Sequence, residues 1–312
     1  MKRHNILTLF ILAIFSSNSY GQVCSSWSEA RVVGKLDHTM INEASGIEVS
    51  LIDNSILYHI NDSGNGPYYY SSKFDGSESK KIRINNLNLK RSDYEDISTG
   101  KCYDKKCLFI GDIGDNLKSR DNINIIIIEE NNKSSSVTPL KIVRLIYPDH
   151  PRNAEAFAVH PNGDLFIITK EESLRRQKSF PSKIYKTSRN KWENAGPKPL
   201  TLEYVGTLDI KPINSKTNGF LDNVITSLDI SEDGKKFVVL TYQHAYEFNI
   251  DLSKAHSSSF DNFNAEKDYR VIELKRLPQQ ESIAYLQGSK SILYNTEYRA
   301  IAPNLMRVDC LD

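Results

Sequence analysis

The chain lacks the apolar 3.6-residue periodicity of long helices, and it has no apolar run long enough to span a bilayer. It has no charge excess either: 40 Lys and Arg stand against 39 Asp and Glu, with no basic stripe to suit nucleic acid and no acidic block to suit a disordered tail. There is no Gly-x-Ser-x-Gly elbow, no His-Glu-x-x-His, no Gly-Lys-Ser/Thr phosphate loop and no EF-hand loop. His38, His59, His150, His160, His244 and His256 show no ligand spacing, and the four cysteines show no zinc pattern. What remains is an all-β composition of short apolar or alternating runs, cut by Gly, Asn, Asp, Ser and Pro.

Residues 1–21 read as a secretory signal peptide: basic Lys2 and Arg3, an apolar run from Ile6 to Phe15, and small residues at Ser19 and Gly21. Its removal leaves 38 basic (40 − 2) against 39 acidic groups, and it implies a secreted or periplasmic protein with no membrane span. Residues 22–312 are expected to form a single domain. In an oxidising compartment Cys24, Cys102, Cys107 and Cys310 pair. Cys102 and Cys107 flank a short polar turn and suit a local bridge, which leaves Cys24 to join Cys310 across the two ends of the mature chain.

One stretch sets the pattern. Glu155 opens a strand that turns at Pro161-Asn162-Gly163-Asp164 and returns as a second strand ending on Lys170. Four echoes open at Ser45, Glu95, Thr226 and Glu281, spaced from one another and from Glu155 by 50, 60, 71 and 55 residues. Each starts a run of short strands in the same order, which predicts a β-propeller of five four-stranded blades. A sixth blade would fit only if the long third or fourth unit hides a further strand set. The fifth unit lacks its fourth strand, and residues 30–37 resemble the fourth strands at 202–209 and 269–274. The N-terminal strand is therefore expected to close the ring.

With the inner strands in register, Ser45, Glu95, Glu155, Thr226 and Glu281 form a ring of oxygen donors at one end of the channel. Three carboxylates on one axis repel, and oxygen-only ligands favour a hard cation: calcium, which tolerates loose geometry, ahead of magnesium. The second strands end on the same face, and their ends offer Asp62, Asp112, Lys170, Gln243 and Glu297, with Glu171 beside them. Asp62, Asp112 and Glu171 are candidate bases and Lys170 a candidate anion contact. A small-molecule or glycan ligand is expected at this mouth, on a monomer.

The order Ser, Glu, Glu, Thr, Glu at five inner strands resembles the soluble calcium-activated nucleotidases (apyrases), and the segment from Ile56 to Gly64 resembles their first-blade acidic segment. The pattern is also similar to phytase-like bacterial propellers. The resemblance implies a central calcium and hydrolysis of phosphoanhydrides or phosphoesters. The nucleotidases carry Arg beside the first-blade acids and an Arg pair in blade three, where this chain has Ser63 and Thr169-Lys170-Glu171. A non-catalytic binding propeller with a structural calcium and a lactone or ester hydrolase are the alternatives.

Overall fold

The computed structural model describes residues 23–62, 64–89, 92–210, 219–261, 268–298 and 303–312. The signal-peptide reading, and Ser63, lie outside the described residues. The chain is an all-β propeller of five blades. Blade one runs outward through Ala44–Val49, Ile56–Asn61, Tyr68–Lys73 and Lys80–Ile84. Blade two is Tyr94–Cys102, Lys105–Asp112, Ile123–Glu129 and Lys141–Ile146. Blade three is Ala154–Val159, Leu165–Thr169, Ser182–Thr187 and Glu203–Leu208. Blade four is Ile225–Ile230, Phe237–Thr241, Ala245–Phe248 and Tyr269–Ile272. Blade five is Gln280–Tyr285, Ser291–Thr296 and Asn304–Asp309, completed by Arg31–Lys35 from the start of the chain.

The two-residue side-chain period of a strand explains why the second strands are buried on both faces. Leu165 and Ile167 enter a cluster with Phe109, Ile125 and Ile127 of blade two, while Phe166 and Ile168 enter one with Phe237 and Val239 of blade four. Three further clusters fill the remaining gaps between blades. The apolar core is thus distributed around the ring, and the axis is left to polar side chains. These stitch neighbouring inner strands together. Glu48 accepts from Thr99 N (3.2 Å), Asp96 from Phe157 N (3.0 Å), and Asp229 from Tyr285 N (2.6 Å).

The long spacing of unit three holds no sixth blade. It is taken up in part by a hairpin, Glu172–Ser173 with Lys178–Ser179, and a short helix, Arg189–Glu193. Two connections each add a parallel two-residue strand to an outer edge: Ser136–Val137 on blade one and Leu200–Thr201 on blade two. Tyr69 and Tyr70 are buried in the blade-one core, and Lys81 lies 4.0 Å over the Tyr68 ring. No helix among the described residues is long and apolar enough to cross a membrane.

Both disulfides form as the spacing predicts, Cys24–Cys310 and Cys102–Cys107. The first lies at the seam where the ends meet. There Asp309 accepts from Ser291 Oγ (2.6 Å), Arg307 Nε (2.6 Å) and Arg31. Burial alone would raise the Asp309 carboxyl, but these bonds outweigh it and hold it down to about 2, from an ordinary 3.8. A carboxylate lowered on folding adds stability above its unfolded value and loses it as pH falls toward its folded one. The shift corresponds to about 2 kcal/mol. Asp309→Asn is therefore expected to lower stability at neutral pH by about 1–2 kcal/mol and to leave little difference from wild type below about pH 2. Urea unfolding at the two pH values checks this, and an equal loss at both would rule out the ionic account.

Candidate metal centre at the channel mouth

Each inner strand breaks register immediately after its first residue. The pairing skips Ser45 in blade one, Glu95 in blade two, Glu155 in blade three, Thr226 in blade four and Glu281 in blade five. A bulge leaves its extra residue out of the ladder and re-aims its side chain. The five expected ring positions are these five bulge residues. Two of the side chains also tie blades together: Ser45 Oγ donates to Glu95 O (2.6 Å) and Thr226 Oγ1 to Gln280 O (3.1 Å).

The second strands bring one position per blade to the same rim, marked by an amide that donates back to the residue before the inner strand. Asp62, Lys170 and Glu297 do so, to Glu43 O (2.8 Å), Asn153 O (3.0 Å) and Gln279 O (3.3 Å). Because Thr241 pairs with Ile225, the blade-four occupant is Tyr242, one residue before Gln243. Because Asp112 pairs with Tyr94, the blade-two occupant is Ile113. Asp112 stands one residue further inside, fully buried, where it accepts from Arg120 (2.6 Å), Asn124 Nδ2 (2.6 Å) and Asp93 N (2.8 Å). Glu171 accepts from Arg152 NH1 (2.6 Å), and Lys118 lies 3.7 Å from it.

Asp62 and Glu95 converge with a residue the sequence reading passed over, Asp93. One carboxylate oxygen from each lies within 4.8 Å of the others. Asp93 lies just before the strand that carries Glu95, so no strand period marks it. Burial, and then the charge of Asp62, pushes Asp93 up to about 7. Burial, followed by the charges of Glu155, Asp62 and Asp93, raises Glu95 well above the usual carboxylate range. Gly114 closes the cradle from below: a Cβ there would lie 2.2 Å from Glu95 Oε1 and 2.5 Å from the Asp93 carboxyl carbon. Ser45 Oγ stands 3.3 Å from Glu95 Oε2.

The other half of the mouth is arranged differently. The Lys170 ammonium, 9% exposed, bonds Glu155 Oε1 and donates to Tyr242 OH (2.9 Å), which in turn donates to Glu281 Oε1 (2.9 Å). Burial acts against this ammonium, but the charges of Glu155, Tyr242 and Glu281 outweigh it and hold it protonated. Burial raises both Glu155 and Glu281 to about 7, with Lys170 pulling the other way. Glu155 Oε2 is buried and has no hydrogen-bond partner among the described residues. At the far end of the channel a separate cavity of about 490 Å³ is lined by the ends of the inner strands, including Glu48, Asp229 and Tyr285.

The ligand atoms at the mouth are all oxygen, several belong to buried carboxylates, and Glu155 Oε2 and Glu172 Oε2 are buried without a partner among the described residues. This set fits a hard divalent cation and does not fit zinc.

Comparison with solved structures returns many chains, among them two that align along most of their length. One, from a nidogen/laminin complex, has 13% identity and a TM-score of 0.41, covering 82% of this chain and 73% of that one. The other, XC5397 from Xanthomonas campestris, a gluconolactonase, has 9% identity and a TM-score of 0.45, covering 92% and 96%. No protein-family model matches the chain, and no curated protein matches it significantly in sequence.

Proposed function

We propose that Asp62, Asp93 and Glu95, with Ser45 beside them, hold a divalent cation, calcium in preference to magnesium, and that the mouth hydrolyses an uncharged ester or lactone. The observation that carries this is the convergence of three carboxylates from blades one and two within 4.8 Å. Flexible all-oxygen sites of this kind suit calcium. When bound, such an ion polarises a carbonyl or a water. The chain's own residues supply the rest. Lys170 anchors one oxygen of Glu155 and leaves Oε2 as a buried acceptor without a partner among the described residues. Tyr242 fixes Glu281 beside it.

The cations of the described residues favour this substrate class. Among them Arg120 is committed to Asp112, Arg152 to Asp149 and Glu171, and Lys170 to Glu155. A phosphoanhydride needs such groups for its own charge. The phosphate hydrolysis implied by the nucleotidase resemblance is therefore the less favoured chemistry. The two disulfides support export to an oxidising compartment.

The test is metal analysis of the purified protein, followed by assay on aryl esters, sugar lactones, nucleoside diphosphates and phytate, with calcium and with chelator. Bound calcium and calcium-dependent turnover of a lactone or ester are expected. Phosphate release would overturn the substrate class. A bound ion without turnover on any substrate would leave a binding propeller. A chain that neither binds calcium nor changes its melting temperature with it would sink the metal reading.

A further inference from the structure

Glu95, Glu155 and Glu281 occupy the same bulge position in three blades, yet their surroundings differ. Near Glu95, the rim residue of blade one is a carboxylate, Asp62. Beside Glu155, the equivalent rim residue of blade three is Lys170. We infer that Glu155 and Glu281 form a second cation position, which the chain fills with its own Lys170 ammonium. This rests on the reading of Asp62, Asp93 and Glu95 as a calcium site, and it adds a limit of one divalent ion per mouth.

Three observations support it. Lys170 is almost completely buried, and a buried ammonium is tolerated only where opposite charge and hydrogen bonds replace water. Its partners are those a hard cation would use: a carboxylate oxygen of Glu155 and the hydroxyl of Tyr242, which leads on to Glu281. The ammonium also leaves one donor of the set over. Glu155 Oε2, on a side chain more than nine-tenths buried, has no partner among the described residues. An ammonium has three hydrogen-bond donors, whereas calcium takes six to eight oxygens, so the surplus acceptor fits a site built for the larger coordination number. The result is a mouth that is partly neutralised without metal, and whose remaining carboxylates are on the blade one and two side.

The test is the calcium stoichiometry of wild type, Lys170→Met and the Glu155→Gln/Lys170→Met double variant, by equilibrium dialysis with metal analysis. Wild type is expected to hold one ion, Lys170→Met two, and the double variant one again. Lys170→Met should also melt lower than wild type in chelator and recover with calcium. If Lys170→Met proves too unstable to purify, Lys170→Gln gives the same reading. One ion in wild type and no gain in the variants would overturn the inference while leaving the calcium site in place. No ion in wild type and one in Lys170→Met would keep the second position at Glu155 and Glu281, and overturn both the site at Asp62, Asp93 and Glu95 and the limit of one ion. No ion in any of the three overturns both.

Discussion

Asp93→Asn is expected to abolish the calcium-dependent rise in melting temperature without destabilising the metal-free protein. A ligand that binds only the folded state at 100 times its dissociation constant adds about 2.7 kcal/mol. For a chain of this size that is a rise of roughly 4–5 °C in wild type. Asp93 is the residue of choice because it lies outside the ring of bulges and its side chain stitches no two inner strands together. Its carboxyl is already raised to about 7, by burial and by Asp62, so in the metal-free state a neutral amide removes repulsion. The metal-free variant should melt at or slightly above wild type, and added calcium should do nothing. Differential scanning calorimetry with and without calcium reads both. An equal calcium response in the two proteins would place the ion elsewhere.

Cys24→Ser/Cys310→Ser is expected to cost about 2–5 kcal/mol, and the melting temperature should fall by on the order of 10 °C. The bond spans 286 residues and lies beside the seam between Arg31–Lys35 and Asn304–Asp309. Chain-entropy scaling gives it more than twice the effect of Cys102–Cys107, which spans five. The seam has other ties. Ser28 N donates to Asp309 O (2.8 Å), and Cys24 N donates to Glu247 Oε2 (2.7 Å) in blade four. Gly76, at φ +81°, lets its turn lie against the closing strand, since a Cβ there would sit 1.8 Å from Lys35 O. The variant should therefore still fold, and its loss should appear as faster unfolding from the ends. Equal losses on removing either disulfide would show that ring closure is not what the long one stabilises.

The architecture was legible because each blade repeats one strand order and because residues 30–37 carry the missing fourth strand. The five bulge positions were legible for the same reason, since they fall at one point of the repeat. The rim was less so. Its positions are counted from the far end of a hairpin, so one residue of turn length moves the reading. That is how Tyr242 stands where Gln243 was expected, and how Asp112 lies inside the rim with Arg120. Asp93 escaped notice because it precedes its strand, and its role appears only when Asp62 arrives from another blade. The added strands Ser136–Val137 and Leu200–Thr201 are two residues each, too short for any period to register.

The bulges have a further consequence for how such a mouth can change over time. A bulge residue stands outside the ladder of its blade, so its side chain is not one of those that fill the apolar cores between blades. The five positions already hold serine, threonine and glutamate without altering the cores between blades. Deleting Glu155 alone would restore an unbroken ladder between Ala154–Val159 and Leu165–Thr169 and remove one arm of the ring in a single event. Inserting one residue would do the reverse. The chemistry of this channel is therefore set by single-residue steps in the length of the inner strands, and a relative with the same blades and one bulge fewer would be a different kind of protein.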